Sequence, residues 1–134
     1  MRKILQINSF DLLKNNIIRD RIMRAHGGRS QEFVAVVDQI EAGFLSYEDW
    51  SDMSAGFIYE IFVLPEYRQK GIGELLLSYA ENHARKLRCT TLCLKPYTLD
   101  SQTNQDRLVH WYVKNGYVKK HEEPEKMEKY LSLI

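Results

Sequence analysis

The run Arg68-Gln69-Lys70-Gly71-Ile72-Gly73 constrains this chain more than any other segment. An apolar stretch, Phe57 to Leu64, precedes it and reads as a strand stopped by Pro65. An amphipathic stretch, Ile72 to Leu87, follows it and reads as a helix. A strand, a tight glycine-bearing loop and a helix N-terminus make a place for an anion. The first helical N–H groups lack acceptors within the helix, and the dipole favours negative charge there. Gly71 and Gly73 carry no Cβ, so the backbone can come close to a phosphate. Arg68 and Lys70 add positive charge at the mouth. The plain alternative is a strand-to-helix turn that needs glycine only for its shape. Two other phosphate loops are excluded by spacing. Position 76 is Leu, so no third glycine completes a dinucleotide fingerprint, and no G-x-x-x-x-G-K-S/T run occurs.

A chain of 134 residues is long enough for one real core and not for two, so a single domain over 1–134 is expected. The net charge of +1 gives no whole-molecule field that would favour nucleic acid. The charge is uneven, however: residues 1–30 hold seven Lys or Arg against Asp11 and Asp20. A solvated basic helix face explains this, and a site for an anionic partner is the alternative. No apolar run is long enough to span a bilayer, and Met1 to Gln6 has no signal-peptide core. Cys89 and Cys93, at even spacing on an expected strand, read as reduced thiols on one face rather than as a disulfide or metal site. A cytoplasmic protein without membrane or metal follows from this reading.

Along the chain, Arg2 to Ile7 is β-prone. Ser9 is expected to cap a helix with Phe10, Leu13, Ile17, Ile18 and Ile22 on its apolar face, ended by Gly27-Gly28. Phe33 to Val37 and Ile40 to Tyr47 read as a hairpin around Asp38-Gln39, Glu48 to Ser54 as a polar loop, and Ala55 to Leu64 as the next strand. The helix after the glycine loop is expected to bury Leu75, Leu76, Tyr79, His83 and Leu87. Thr90 to Leu94 is a strand, Pro96 to Thr103 a loop, and Arg107 to Asn115 a short helix with Gly116 after it. Strands from Tyr117 and from Met127 close the chain around the loop Glu122-Glu123-Pro124-Glu125. The order βαβββαβαββ is α+β, a mixed central sheet flanked by helices.

Two segments together resemble one family. Val63-Leu64-Pro65-Glu66-Tyr67-Arg68-Gln69-Lys70-Gly71-Ile72-Gly73 is similar to the acetyl-CoA motif of the GNAT superfamily of N-acetyltransferases. Leu108-Val109-His110-Trp111-Tyr112-Val113-Lys114-Asn115-Gly116-Tyr117 is similar to that family's helix-end pattern. The resemblance runs over Phe57 to Val118, in the family's order. It implies the GNAT acyltransferase fold and acetyl-CoA as cosubstrate. Only one helix fits between the first two strands, where the family usually has two.

The resemblance also implies roles. Phe62 and Val63 would pair with the pantetheine arm as a further strand would. Gln69, Lys70, Gly71, Ile72, Gly73 and Glu74 would cradle the pyrophosphate, with Arg68 beside them. Tyr112 would protonate the departing thiolate. A phenol of pKa near 10 giving its proton to a thiolate near 8.5 is uphill by only about 2 kcal/mol. Packing at a helix end is the other reading of Tyr112. Trp111 reads as packing and His110 as surface or core. The family often places Asn seven residues before the tyrosine, where this chain has Gln105, with Asn104 one earlier. Glu60, which could deprotonate or attract the amine, could equally face solvent.

The resulting expectation is an N-acetyltransferase that moves an acetyl group from acetyl-CoA to a primary amine by direct attack. A small cationic amine is the expected acceptor, because Glu48-Asp49-Trp50-Ser51-Asp52, Glu122-Glu123-Pro124-Glu125 and Glu60 could concentrate cations around a cleft. The alternatives are a non-catalytic CoA-binding module, and an acetyltransferase acting on aminoacyl-tRNA or a protein amine. A homodimer is compatible with the sequence.

Overall fold

The computed structural model describes residues 1–96 and 104–132. The chain forms β1 (Arg2–Ile7), α1 (Asn16–Ala25), β2 (Ser30–Val37), β3 (Ile40–Trp50), β4 (Ala55–Val63), α2 (Ile72–Lys86), β5 (Thr91–Leu94), α3 (Gln105–Lys114), β6 (Val118–Lys119) and β7 (Met127–Tyr130). Single 3-10 turns at Phe10–Leu12, Ser51–Met53 and Pro65–Tyr67 join some of them. One sheet runs β1-β2-β3-β4-β5-β7-β6. β4 and β5 are parallel, connected through α2, and the other pairs are antiparallel.

The central strands are covered on both faces, which is why β2 and β3 read as near-continuous apolar runs. Alternate residues serve opposite sides. Phe33, Leu45, Tyr47 and Ile58 pack with Leu76, Leu77 and Ala80 of α2. Val34, Phe44 and Phe62 pack with Ile18 and Ile22 of α1. On α2, Leu76 is fully buried while Leu75, Tyr79, His83 and Leu87 are half-buried. The expected apolar stripe therefore lies at one side of the buried face, whose centre is Ile72, Leu76, Ala80 and Ala84.

The first helix starts later than expected. Asn15, not Ser9, is its cap: Asn15 Oδ1 accepts the Ile18 N–H at 3.0 Å, and Ser9 makes no capping bond. The Glu41 carboxylate accepts the N–H groups of Lys14 and Asn15, which holds the chain outside a helix there. Ile17 consequently points outward, 54% exposed. Glu48 to Trp50 is not loop but the end of β3, paired with Phe57, Gly56 and Ala55. Cys89 precedes β5, its N–H bonded to Ala84 O, so only Cys93 lies on the strand; both thiols are free. Most of the loop expected from Pro96 to Thr103 lies outside the described residues.

Two irregularities of β4 position the site. Ser46 pairs with Glu60 and Tyr47 with Ile58, so Tyr59 is an extra residue in the ladder, a β-bulge. Ile58 therefore faces α2, while Glu60 and Phe62 face α1. Pairing between β4 and β5 also stops at Ile58 with Leu94. Beyond that point, the edge of β4 on the β5 side has no strand partner among the described residues.

Candidate active site

The open edge of β4 leads straight into the glycine loop. The Leu64 N–H bonds to Ala42 O, and Gly43 lies beneath Phe62 O. Hydrogen-bonded pairs alternate in an antiparallel ladder, so Phe62 belongs to the β3 ladder and Ile61 and Val63 turn their backbone groups to the open side. Of the two residues expected to meet a pantetheine arm, only Val63 turns its backbone to this open side. Phe62 instead contributes its ring to the α1-side core, 5% exposed.

The loop itself is shaped by two left-handed residues, Gln69 at φ 62° and Gly71 at φ 82°. Gly71 is the N-cap position of α2, and no side chain caps that helix. No side chain therefore takes its first N–H groups, and Glu74 is the one acidic side chain in the first turn. A Cβ at Gly71 would meet only Arg2 Nη1, at 3.2 Å. Arg2 also donates to Lys70 O at 2.6 Å, bringing β1 to the loop. Gly73 has a different reason. A Cβ there would sit 3.3 Å from the Trp111 ring, whose Nε1 donates to Glu74 at 3.3 Å. Trp111 therefore packs α3 on the first turn of α2, as its packing reading requires. Ile72 is core, 1% exposed. Arg68 turns back, its Nε donating to Val63 O at 2.9 Å, and Lys70 Nζ lies 5.7 Å from the Tyr67 ring.

Tyr112 and Glu60 line one cleft, together with Ile61, Leu94 and Leu108, where β4 and β5 part. Tyr112 is 6% exposed and meets the Trp111 and Tyr117 rings edge-on. Glu60 does not face open solvent: it is 9% exposed, and Arg21 Nη1 of α1 reaches its Oε2 at 3.2 Å. Burial pushes the Glu60 carboxyl above its usual range, and Arg21 and Arg24 pull the other way. His110 is exposed. Asn104 caps α3, accepting the N–H groups of Asp106 and Arg107, and Gln105 donates to Pro96 O.

The structure adds residues that the sequence reading did not select. Glu32 is 2% exposed and Ser46 fully buried. Ser46 Oγ donates to Glu32 Oε2 at 2.8 Å, and His26 Nδ1 lies 2.7 Å from Glu32 Oε1. A signal existed in the sequence. Ser46 is a hydroxyl inside the apolar run Ala42 to Tyr47, and Glu32 heads Phe33 to Val37; each demands a buried partner.

Several members of the acidic stretches are occupied internally. Glu48 accepts from the Trp50 indole, Asp52 pairs with Arg29, and Glu123 pairs with Lys126. The Trp50 ring already carries Arg29 at 3.9 Å. The arginines of the basic N-terminal segment are engaged likewise, with Arg2, Arg19, Arg21, Arg24 and Arg29 all bonded within the chain. Beyond Glu60 a groove of about 450 Å³ is lined by Trp50, Met53, Phe57, Cys93 and Lys120 among others.

The model of the acetyltransferase (GNAT) domain matches residues 28–119. The chain belongs to the GNAT acetyltransferase family. No curated protein matches the sequence. Among solved structures it is similar to the ribosomal-protein-S18-alanine N-acetyltransferase of Escherichia coli, at 16% identity and TM-score 0.71 over 100% of this chain and 96% of that one. It is also similar to the PaiA N-acetyltransferase of Thermoplasma acidophilum, in complex with coenzyme A, at 22% identity and TM-score 0.62 over 85% and 67%. The N-acetylglutamate synthase of Neisseria gonorrhoeae, complexed with coenzyme A and N-acetyl-glutamate, gives 19% and 0.71 over 98% and 35%. At these identities the likeness is one of fold. The GNAT fold expected for this chain is the observed one, among the described residues a seven-stranded mixed sheet with three α-helices. Among the described residues no helix is long and apolar enough to cross a membrane.

Proposed function

We propose that this protein is an acetyl-CoA-dependent N-acetyltransferase acting on a primary amine, within a single domain over 1–134. The observation that carries the reading is a convergence. The open edge of β4 at Val63, the uncapped left-handed Gly71 terminus and the Tyr112–Glu60 cleft follow one another along one path. Acetyl-CoA supplies an activated thioester and a thiolate leaving group. Val63 N–H would meet the thioester carbonyl, and the backbone from Gln69 to Glu74 would hold the pyrophosphate. Coenzyme A in two of the similar structures supports the same cosubstrate.

Glu60 takes the proton of the acceptor ammonium, because its burial favours the protonated carboxyl. Tyr112 holds a proton on the other side of the cleft for the leaving sulfur. The motive for a small cationic acceptor is weaker in the fold than in the sequence, since Asp52, Glu48 and Glu123 already have partners. The groove beyond Glu60 admits an acceptor with an apolar body against Phe57 and Trp50. The test is purified protein with acetyl-CoA against polyamines, aromatic monoamines, amino acids and peptide N-termini, followed by thiol release. Amine-dependent release is expected. Release from no amine would leave the CoA-binding-module reading in its place.

A further inference from the structure

The groove beyond Glu60 crosses the sheet face on which Glu60 lies. A Cβ at Gly56 would meet the Tyr47 hydroxyl on the α2 side, so Phe57, the next residue, points to the opposite face. Phe57 pairs with Glu48 of β3 and with Cys93 of β5, and these three stand in a row across the groove. Trp50, two residues on from Glu48, forms one wall. The Glu48 carboxylate accepts its indole N–H at 3.1 Å, and Arg29 covers its ring at 3.9 Å. The other wall is cationic. Lys120 and Lys126 bring it from the turn between β6 and β7, where the Lys120 N–H bonds to Lys126 O at 2.9 Å. Both side chains are half-buried. Lys126 Nζ meets Glu123 at 2.8 Å, whereas Lys120 Nζ has no ion-pair partner among the described residues. Glu128 stands opposite Cys93 but does not line the groove. Among the described residues the one carboxylate of the lining, Glu48, is thus tied to the apolar wall, and an uncompensated positive charge stands at the other.

We propose that this groove selects an acceptor amine whose apolar body ends in a carboxylate, with Lys120 as the residue that reads the acid. The proposal rests on the reading of the Tyr112–Glu60 cleft as the place of acetyl transfer. The amine lies at Glu60, the body on Phe57 and Cys93 against Trp50, and the acid at Lys120 Nζ. Burial of the body against Phe57 and Trp50 supplies affinity, and the charge pair supplies orientation and selection. The fold also sets a length. β7 and β6 lie two and three strand positions from β4 in the sheet. At about 4.8 Å per strand, and with a lysine side chain reaching back about 6 Å, roughly 5–8 Å separates an amine at Glu60 from an anion at Lys120. An acid on the carbon that bears the amine is too close to span this, and an acid across an aromatic ring is not. A cationic end would be carried to the wall where Lys120 and Lys126 stand, and like charges there reject it. The preference is opposite in sign to the small cationic acceptor that the acidic stretches suggest in the sequence, because Glu48, Asp52 and Glu123 are engaged within the chain.

The experiment uses three amines with one body and different ends: para-(aminomethyl)benzoate, benzylamine and para-xylylenediamine. Thiol release with acetyl-CoA gives kcat/KM for each in the parent, in Lys120→Met and in Lys120→Glu. The parent should favour the acid over benzylamine by roughly five- to tenfold, and the diamine should be the poorest of the three. The preference for the acid should shrink in Lys120→Met and turn toward the diamine in Lys120→Glu. A ratio of two substrates on one sample does not change with the folded fraction, so poor folding cannot imitate this result. A second readout needs no turnover: alkylation of Cys93 in the presence of CoA, with Cys89 silent because it is fully buried. The acid should slow alkylation severalfold in the parent and not in Lys120→Glu. Equal kcat/KM for the three amines, or a parental preference for the diamine, would overturn the charge selection while the transfer reading stands. Turnover of none of them, beside protection of Cys93 that depends on Lys120, would overturn the transfer reading and support the ligand chemistry of the groove. Turnover of none and protection by none would overturn the charge selection as well.

Discussion

At Gly71 the backbone sits at φ 82°, where a side chain strains the chain, yet the space around it is open except for Arg2. These two facts separate backbone shape from ligand charge. Gly71→Ala should cost roughly 1–2 kcal/mol through strain alone. Gly71→Glu should cost about the same in stability but abolish CoA affinity, because its carboxylate occupies the anion's place. Calorimetric titration checks both, and CoA binding to Gly71→Glu as tight as to Gly71→Ala would move the cofactor elsewhere. Tyr112→Phe is the complementary case. The ring's packing on Trp111 and Tyr117 is kept and only the hydroxyl is lost. The variant should fold and bind CoA as the parent does, while kcat falls by roughly ten- to ten-thousand-fold. A variant that turns over at the parental rate would return Tyr112 to packing. Both positions could be singled out in the sequence because their signals are local: a glycine between strand and helix, and an aromatic pair before Gly116.

Elements were legible where their signals were local, and misread where a distant residue decided. α1 starts at Asn15 because Glu41, from another strand, takes the preceding N–H groups. Periodicity from Phe10 onward cannot show that. The bulge at Tyr59 was invisible for a similar reason, since register is a property of two strands. It nevertheless decides that Glu60 faces α1 and Arg21 rather than α2. A further tie joins three elements: Glu81 of α2 accepts from Tyr117 Oη at 2.9 Å and from Lys129 Nζ of β7 at 3.2 Å. Tyr117 follows α3 directly, so this cluster anchors the helix that carries Tyr112. Tyr117→Phe leaves the largely buried Glu81 carboxylate one donor short and should cost roughly 1–2 kcal/mol. Denaturant unfolding should show the loss, with CoA affinity unchanged. An unaltered midpoint would mean that Lys129 alone satisfies Glu81.

Over the whole molecule, the strand and helix order could be read from the sequence, but the sheet order β5-β7-β6 and the parting of β4 from β5 could not. Both depend on which strands meet after the chain has crossed itself. The same limit applies to His83, which periodicity placed on the apolar side of α2. In the fold it joins that helix to two strands. Its ring meets Phe33 at 5.1 Å and Tyr47 at 4.9 Å, stacks on Tyr79, and has Nε2 at 2.7 Å from Gln31. Burial holds its pKa below the usual 6.5, more than Asp49 raises it. The folded state therefore holds a neutral imidazole to a lower pH than the unfolded chain, which takes a proton as pH falls below about 6.5. Protons then favour the unfolded state, so this contribution to stability is fully present above that pH and is lost as pH falls from there. Melting temperatures of the parent and of His83→Phe between pH 8 and pH 5.5 read it out. Phe keeps the aromatic contacts and loses the titration and the Gln31 bond, whose cost does not vary over this range. The parent should be the more stable at pH 8, and the gap should narrow toward pH 5.5. Parallel curves would mean that His83 titrates in the fold as it does in the unfolded chain, and that its place between the two strands and the helix is one of packing only.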